Sequence, residues 1–79
     1  MKKATFPLSM AEPGEKVRIV TVRAGSSMQE RLLSMGLNVD DVIMVEHSQG
    51  RGSVVISRCG LKFGLGGGMA QKIFVIKEQ

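Results

Sequence analysis

Glycine sets the grain of this chain. Ten of its 79 residues are Gly, and most of them stand between short runs rich in Val, Ile and Phe. Those runs are "KVRIVTVRA" (16–24), "DVIMVEHS" (41–48), "SVVISR" (53–58), "LKFGL" (61–65) and "KIFVIK" (72–77). Strand-length apolar runs at intervals of roughly ten residues, with a turn-former at each corner, predict a small closed or nearly closed β-barrel. The corners have their own chemistry. Glu12-Pro13-Gly14-Glu15 has proline where φ is preset and glycine where a type II turn needs φ > 0. "QGRG" (49–52) and Cys59-Gly60 read as hairpin turns.

Two departures from plain alternation carry information. In the first run Val17 and Ile19 alternate with Lys16 and Arg18, and then Val20 and Val22 alternate with Thr21 and Arg23. A phase slip of one residue predicts a bulge or a strand covered on both faces. Further on, "SSMQERLLSMG" (26–36) is the one helix. Met28, Leu32 and Met35 fall at i, i+4 and i+7, with Leu33 beside them and Gln29, Glu30, Arg31 and Ser34 opposite. Ser26 or Ser27 is the expected cap, with Gln29 or Glu30 three residues on, and Gly36 the C-terminal stop with Leu37 folding back. Ser9 and Glu12 have capping-box spacing for a single earlier turn.

The stretch "GLGGGMAQK" (64–72) imitates a phosphate loop. A Walker loop needs Gly-Lys-Ser/Thr opening a helix, whereas Lys72 follows Gln71 and precedes Ile73. The dinucleotide fingerprint fails at Met69, and the next segment reads as a strand. The glycines are expected to allow one tight helical turn between strands, with Met69 and Ala70 as a plug. Gly64 is expected where a barrel corner leaves no room for a side chain.

Composition bounds the rest. The length fits one domain spanning 1–79, burying roughly 60–65% of its unfolded surface. With no Trp or Tyr and three Phe, the core must be aliphatic and methionine-rich. The single Cys59 excludes an internal disulfide and points to a reducing, cytoplasmic setting. Lys2-Lys3 and Ser9-Met10-Ala11 imitate a leader, but Thr5 and Pro7 break the apolar stretch between them. The net charge is +4, and beyond Lys2-Lys3 the basic residues are spread singly among seven carboxylates, so a solubilising surface explains the charge better than a nucleic-acid footprint.

No catalytic constellation is present. His47 and Cys59 are the only residues of their kinds and lack dyad spacing. Transition metals take imidazole, thiolate and carboxylate ligands, yet His47, Cys59 and Asp40-Asp41 lie apart in the sequence. Met28 and Met35 would suit copper(I), but core packing accounts for them. The chain is expected to be no enzyme and to hold no cofactor and no metal, a transition-metal site being the minor alternative.

Taken in order and spacing, Pro7-Leu8, Pro13-Gly14-Glu15, "ERLLSMGL", "GRGSVVI" and "GLGGGMAQKIFV" resemble the FeoA family across residues 6 to 77. The resemblance implies a mainly β fold, an SH3-like barrel of about five strands with one α-helix inserted after the first. It implies a small cytoplasmic accessory protein of bacterial ferrous iron uptake, an adaptor whose partner is the FeoB-type membrane permease. The module is also similar to the C-terminal domain of iron- and manganese-dependent repressors. Where the family usually has a second Pro-Gly turn after "SMGL", this chain has Asn38-Val39-Asp40-Asp41, a turn that Asp makes feasible. The expected contact residues are Arg31, Leu32, Met35 and Leu37 on the helix, and Arg51 in the neighbouring glycine loop. Competing readings are a basic barrel binding nucleic acid, for which Phe6, Phe63 and Phe74 make a poor stacking platform, and weak self-association through an exposed edge strand.

Overall fold

A computed structural model describes residues 4–78; Lys2 and Lys3, the head of the leader-like stretch, lie outside the described residues. Six strands form one antiparallel sheet: β1 (Phe6–Pro7), β2 (Lys16–Val22), β3 (Val42–Ser48), β4 (Val54–Arg58), β5 (Leu61–Leu65) and β6 (Ile73–Lys77). Their order is β1-β6-β2-β3-β4-β5. Helix α1 (Ser26–Ser34) follows β2, and the single turn α2 (Gly67–Ala70) joins β5 to β6. The mainly β, SH3-like expectation holds, with two corrections. There are six strands, because Phe6 and Pro7 pair with Val75 and Phe74. A two-residue strand leaves no periodicity to read, and its proline is tolerated because β1 is an edge. The sheet curls without closing through hydrogen bonds, so β1 and β5 remain its edges.

The predicted slip in β2 is a bulge: the register against β6 shifts between Ile19 and Thr21. A second lies in β3, between Val45 and His47. These irregularities add twist, and the curled sheet wraps a core of Leu8, Val17, Ile19, Leu32, Leu37, Ile43, Val45, Val54, Ile56, Leu65, Ile73 and Val75, with Ala11 and Ala70. It is aliphatic but not methionine-rich, since Met35 and Met69 only pack against its rim and Met10 is exposed. Branched aliphatic side chains on strands fill a thin core with few rotamers to freeze, so the flexible methionines go to its margin.

The turns follow the sequence closely. Gly14 has φ +90°, and the Glu15 amide donates to the Glu12 carbonyl. Cys59 and Gly60 both have positive φ, the type I′ pattern of a two-residue hairpin. Asp40 takes φ +75° in the substituted turn. The caps depart from expectation. Ser9 lies in a 3₁₀ turn, Leu8–Met10, with no side-chain cap. Glu12 is already the first residue of the Pro-Gly turn, where its amide donates to the Glu15 carboxylate at 2.6 Å. Helix α1 starts one residue early, with Gly25 at the N-cap, so neither serine caps it.

Gly64 is also not what its place in the strand implied: a Cβ there would meet nothing within 4 Å. The crowded glycine is Gly67, where a Cβ would lie 2.0 Å from the Arg51 carbonyl oxygen. Gly52, at φ +79°, would likewise press a Cβ to 3.1 Å from that of Ser9. The Gly50–Gly52 turn and α2 are thus packed backbone to backbone, with the Ser9 side chain of the Leu8–Met10 turn against Gly52, and α2 is the anticipated plug with Ala70 fully buried.

This contrast gives a test. Gly67→Ala should destabilise the fold by about 1–3 kcal/mol, as overpacking does. Gly68→Ala, where a Cβ meets nothing, should be neutral or stabilising by about 0.4–1 kcal/mol. Chemical denaturation of both variants checks the difference.

Candidate interaction site

The bulge in β2 prepares the site. Val17 and Ile19 point into the core, and beyond the shift Val22 packs against it from the end of the strand that leads to α1. One turn of α1 anchors the helix there through Leu32, which is buried. The helix then stops in a Schellman motif: the Gly36 amide donates to the Leu33 carbonyl and the Leu37 amide to the Leu32 carbonyl, both at 2.9 Å. Gly36 has the required positive φ, and Leu37 returns to the core.

The next turn holds the loop in place. The Asn38 amide donates to the Asp41 carboxylate at 2.8 Å, and the Asp40 amide to the Ile19 carbonyl at 2.8 Å. Arg18 braces it, giving Nη1 to the Asp40 carbonyl while its Nε and Nη2 bond both oxygens of Glu78. Arg58 reaches Asp41 at 3.4 Å and lies beside Gly36.

Between helix, strand end and turn lies a groove of about 260 Å³, lined by Thr21, Val22, Gln29, Leu32, Leu33, Leu37, Asn38 and Val39. No charged residue lines it. Leu33 is 58% exposed and Val39 54% exposed, although both are apolar. This volume falls just short of the usual range for small-molecule pockets.

The expected contact residues divide on this geometry. Arg31 is exposed on the outer face of α1; Leu32 and Leu37 form the groove floor; Met35 is half-buried against the core. Arg51 is exposed at the β3–β4 turn. The five residues of β4, roughly 17 Å of extended strand, lie between it and Arg58, whose guanidinium lies beside Gly36. The outer wall made by Leu33 and Val39 escaped the periodicity argument, since Leu33 lies beside the stripe and Val39 in a turn. The signal available was an apolar residue at an exposed turn position.

Other candidate groups stand apart. His47 is exposed on β3 and Cys59 exposed in its turn. Among the described residues no three His, Cys, Asp or Glu side chains are grouped as a metal would need. All three phenylalanines are half-buried, and Arg23 covers the Phe74 ring at 4.9 Å from its centroid. No described helix is long and apolar enough to cross a membrane. A second recess of about 240 Å³ lies among Phe6, Met10, Glu12, Glu15 and Lys77.

The fold defines a class: a small SH3-like module with an accessory helix. Its relatives narrow this further. The FeoA domain matches residues 6–77. A protein of Methanocaldococcus jannaschii provisionally named Fe(2+) transport protein A is 39% identical over 70 residues, covering 89% of this chain and 84% of its own. The crystal structure of an iron uptake regulatory protein, FeoA, superposes with TM-score 0.86 at 35% identity, covering 95% of this chain and all of that one. The chain belongs to the FeoA family. A manganese-dependent transcriptional repressor shares the fold at TM-score 0.87 and 19% identity, over 99% of this chain and 44% of the repressor.

Glu15 yields a pH prediction. Its carboxylate is held below the ordinary range, chiefly by the hydrogen bond it accepts from the Glu12 amide, which outweighs the opposing cost of burial, with a further, smaller lowering from Lys77, 3.3 Å away. Because the folded value is depressed, its contribution is present above the unfolded value of about 4.3 and is lost as pH falls through the folded one. Thermal melts below about pH 4.5 should fall less steeply with acid for Glu15→Gln than for the unmodified chain.

Proposed function

We propose that this chain is a non-enzymatic cytoplasmic accessory protein of ferrous iron uptake that docks on, and regulates, the cytoplasmic region of an FeoB-type permease. Membership of the FeoA family places it with the ferrous iron transport system. The observation that carries the docking mode is the uncharged groove with Leu33 and Val39 exposed at its lip and Arg31 on the adjoining helix face. An exposed apolar groove with a charged neighbour is the usual anatomy of a contact core and its rim.

On this reading an apolar side chain of the permease enters over Leu32 and Leu37, Leu33 and Val39 close on it, and Arg31 sets orientation and encounter rate. Met35 acts from beneath, holding the last turn of α1 against the core. Regulation follows from occupancy of the groove and requires no reaction on this chain.

Leu33→Asp should weaken capture of the detergent-solubilised permease at least tenfold, and Arg31→Glu should slow association in a salt-dependent way. Arg51→Glu, on the distant turn, should bind as the unmodified chain does. Surface-based binding kinetics with cellular ferrous iron uptake measured in parallel check this; wild-type binding by both Leu33→Asp and Arg31→Glu would remove the groove from the interface.

A further inference from the structure

The sheet has two edges of very different kinds. β1 is two residues long and includes Pro7, so it offers almost no template. β5 is five residues long and, among the described residues, pairs only with β4. Its hydrogen-bonding phase follows from the Cys59-Gly60 turn. In a two-residue hairpin the flanking residues, Arg58 and Leu61, exchange both ladder bonds, and the phase then alternates. Leu61, Phe63 and Leu65 therefore bond inward to β4, whereas Lys62 and Gly64 turn their amides and carbonyls out along the open edge. Both are exposed. The side chains divide the other way. Leu61, Phe63 and Leu65 share one face as a graded apolar row, from 61% exposed at Leu61 through half-buried Phe63 to buried Leu65. The opposite face carries Lys62 and the bare Gly64, where a Cβ would meet nothing within 4 Å.

We propose that β5 pairs antiparallel with β5 of a second copy of this chain, about a two-fold axis through Phe63. In that register Lys62 lies opposite Gly64 of the second copy, and the two residues exchange both backbone hydrogen bonds. The two-fold repeats the exchange, giving four bonds. Phe63 meets Phe63 of the second copy at the close, non-hydrogen-bonded position, where aromatic pairs contribute most. Leu61 meets Leu65 of the second copy, which gives the most exposed apolar side chain of the strand an apolar neighbour.

Self-complementarity selects this occupant. An edge lysine ordinarily blocks strand addition by facing another charge or burying its own. Here the two-fold places it against a glycine, so the strand's single charge meets no like charge and has open space above it. Shifting the axis to Lys62 would oppose two lysines. Shifting it to Gly64 would push Lys62 against Gly66, at the start of α2. The Phe63 register alone pairs all five residues.

A single strand pair buries far less than the roughly 1,600 Å² of a stable interface, so the dimer is weak and concentration-dependent. It is independent of permease docking and can be tested without the permease.

Sedimentation equilibrium from roughly 10 μM to 1 mM should show a reversible monomer–dimer equilibrium. Amide exchange followed by NMR over the same range should slow at least tenfold at Lys62 and Gly64, leaving Leu61 and Phe63 unchanged. Gly64→Pro, which removes an outward amide and no inward one, should abolish the dimer while leaving the core spectrum intact. A monomer throughout with unchanged exchange at Lys62 and Gly64 overturns the proposal, as does a dimer that Gly64→Pro leaves whole. Should the proline variant unfold, the exchange measurement on the unmodified chain decides alone.

Discussion

The fold depends on one close backbone approach, that of Gly67 onto the Arg51 carbonyl. A six-stranded sheet with free edges at β1 and β5 cannot close its core by hydrogen bonding alone. Something must cover the end where β5 leaves and β6 returns. The turn α2 does so, carrying Ala70 into the core, and it can approach only because residue 67 has no side chain. Gly52 makes the same concession toward Ser9. Three segments distant in sequence thereby meet closely, two of them backbone to backbone and the third through the Ser9 side chain, which is economical in a chain too short to supply a second layer.

The other end of the molecule is arranged differently. There the bulge at Val20 and the turn at Asn38–Asp41 hold a helix that touches the sheet through few residues. A nine-residue helix has little stability by itself, and α1 relies on Leu32, the Schellman stop at Gly36 and the return of Leu37. The remaining faces of the helix are left for water or for a partner. Ion pairing around it is peripheral: the bidentate Arg18–Glu78 pair ties the start of β2 to the end of the described chain, and Arg58–Asp41 ties a loop. Among the described residues no polar or charged side chain is buried. Such an interior stores shape rather than chemistry.

The sequence made most of this legible where a local rule has no competitor. Gly14, Gly36 and Gly60 stand at backbone conformations that other residues adopt with strain, and the phase slip at Val20 left two resolutions, of which the structure takes the bulge. Legibility failed where two rules competed for one residue. Ser9 and Glu12 satisfy capping-box spacing, but the Pro13-Gly14 turn had already taken Glu12. Ser26 and Ser27 are favourable caps, yet Gly25 precedes them in the extended conformation and the helix starts there. Gly64 and Gly67 are indistinguishable as letters; which one is crowded depends on a turn sixteen residues earlier than Gly67. The groove was half legible. Its floor, Leu32 and Leu37, lies on the helical period, whereas its lip requires knowing that Val39 occupies the exposed second position of a turn. Arg51 shares with the helix only a glycine-rich neighbourhood in sequence, and the length of β4 lies between it and Arg58.

The two surfaces left unsatisfied by folding lie at different places in the sheet. The groove borders β2 and α1, while the open edge is β5, and β3 and β4 stand between them. A partner in the groove therefore does not compete for the edge. The asymmetry between them is physical. The groove offers apolar area without directional bonds, so it rewards a side chain of suitable size from many backbones. The edge offers directional bonds in a fixed register with little area, so it rewards one sequence, and weakly. Strength in such a module must come from the first and specificity of arrangement from the second. Pairing through β5 would present two grooves on one body, and a target displaying two matching sites would then be held by linked contacts whose combined affinity exceeds either alone.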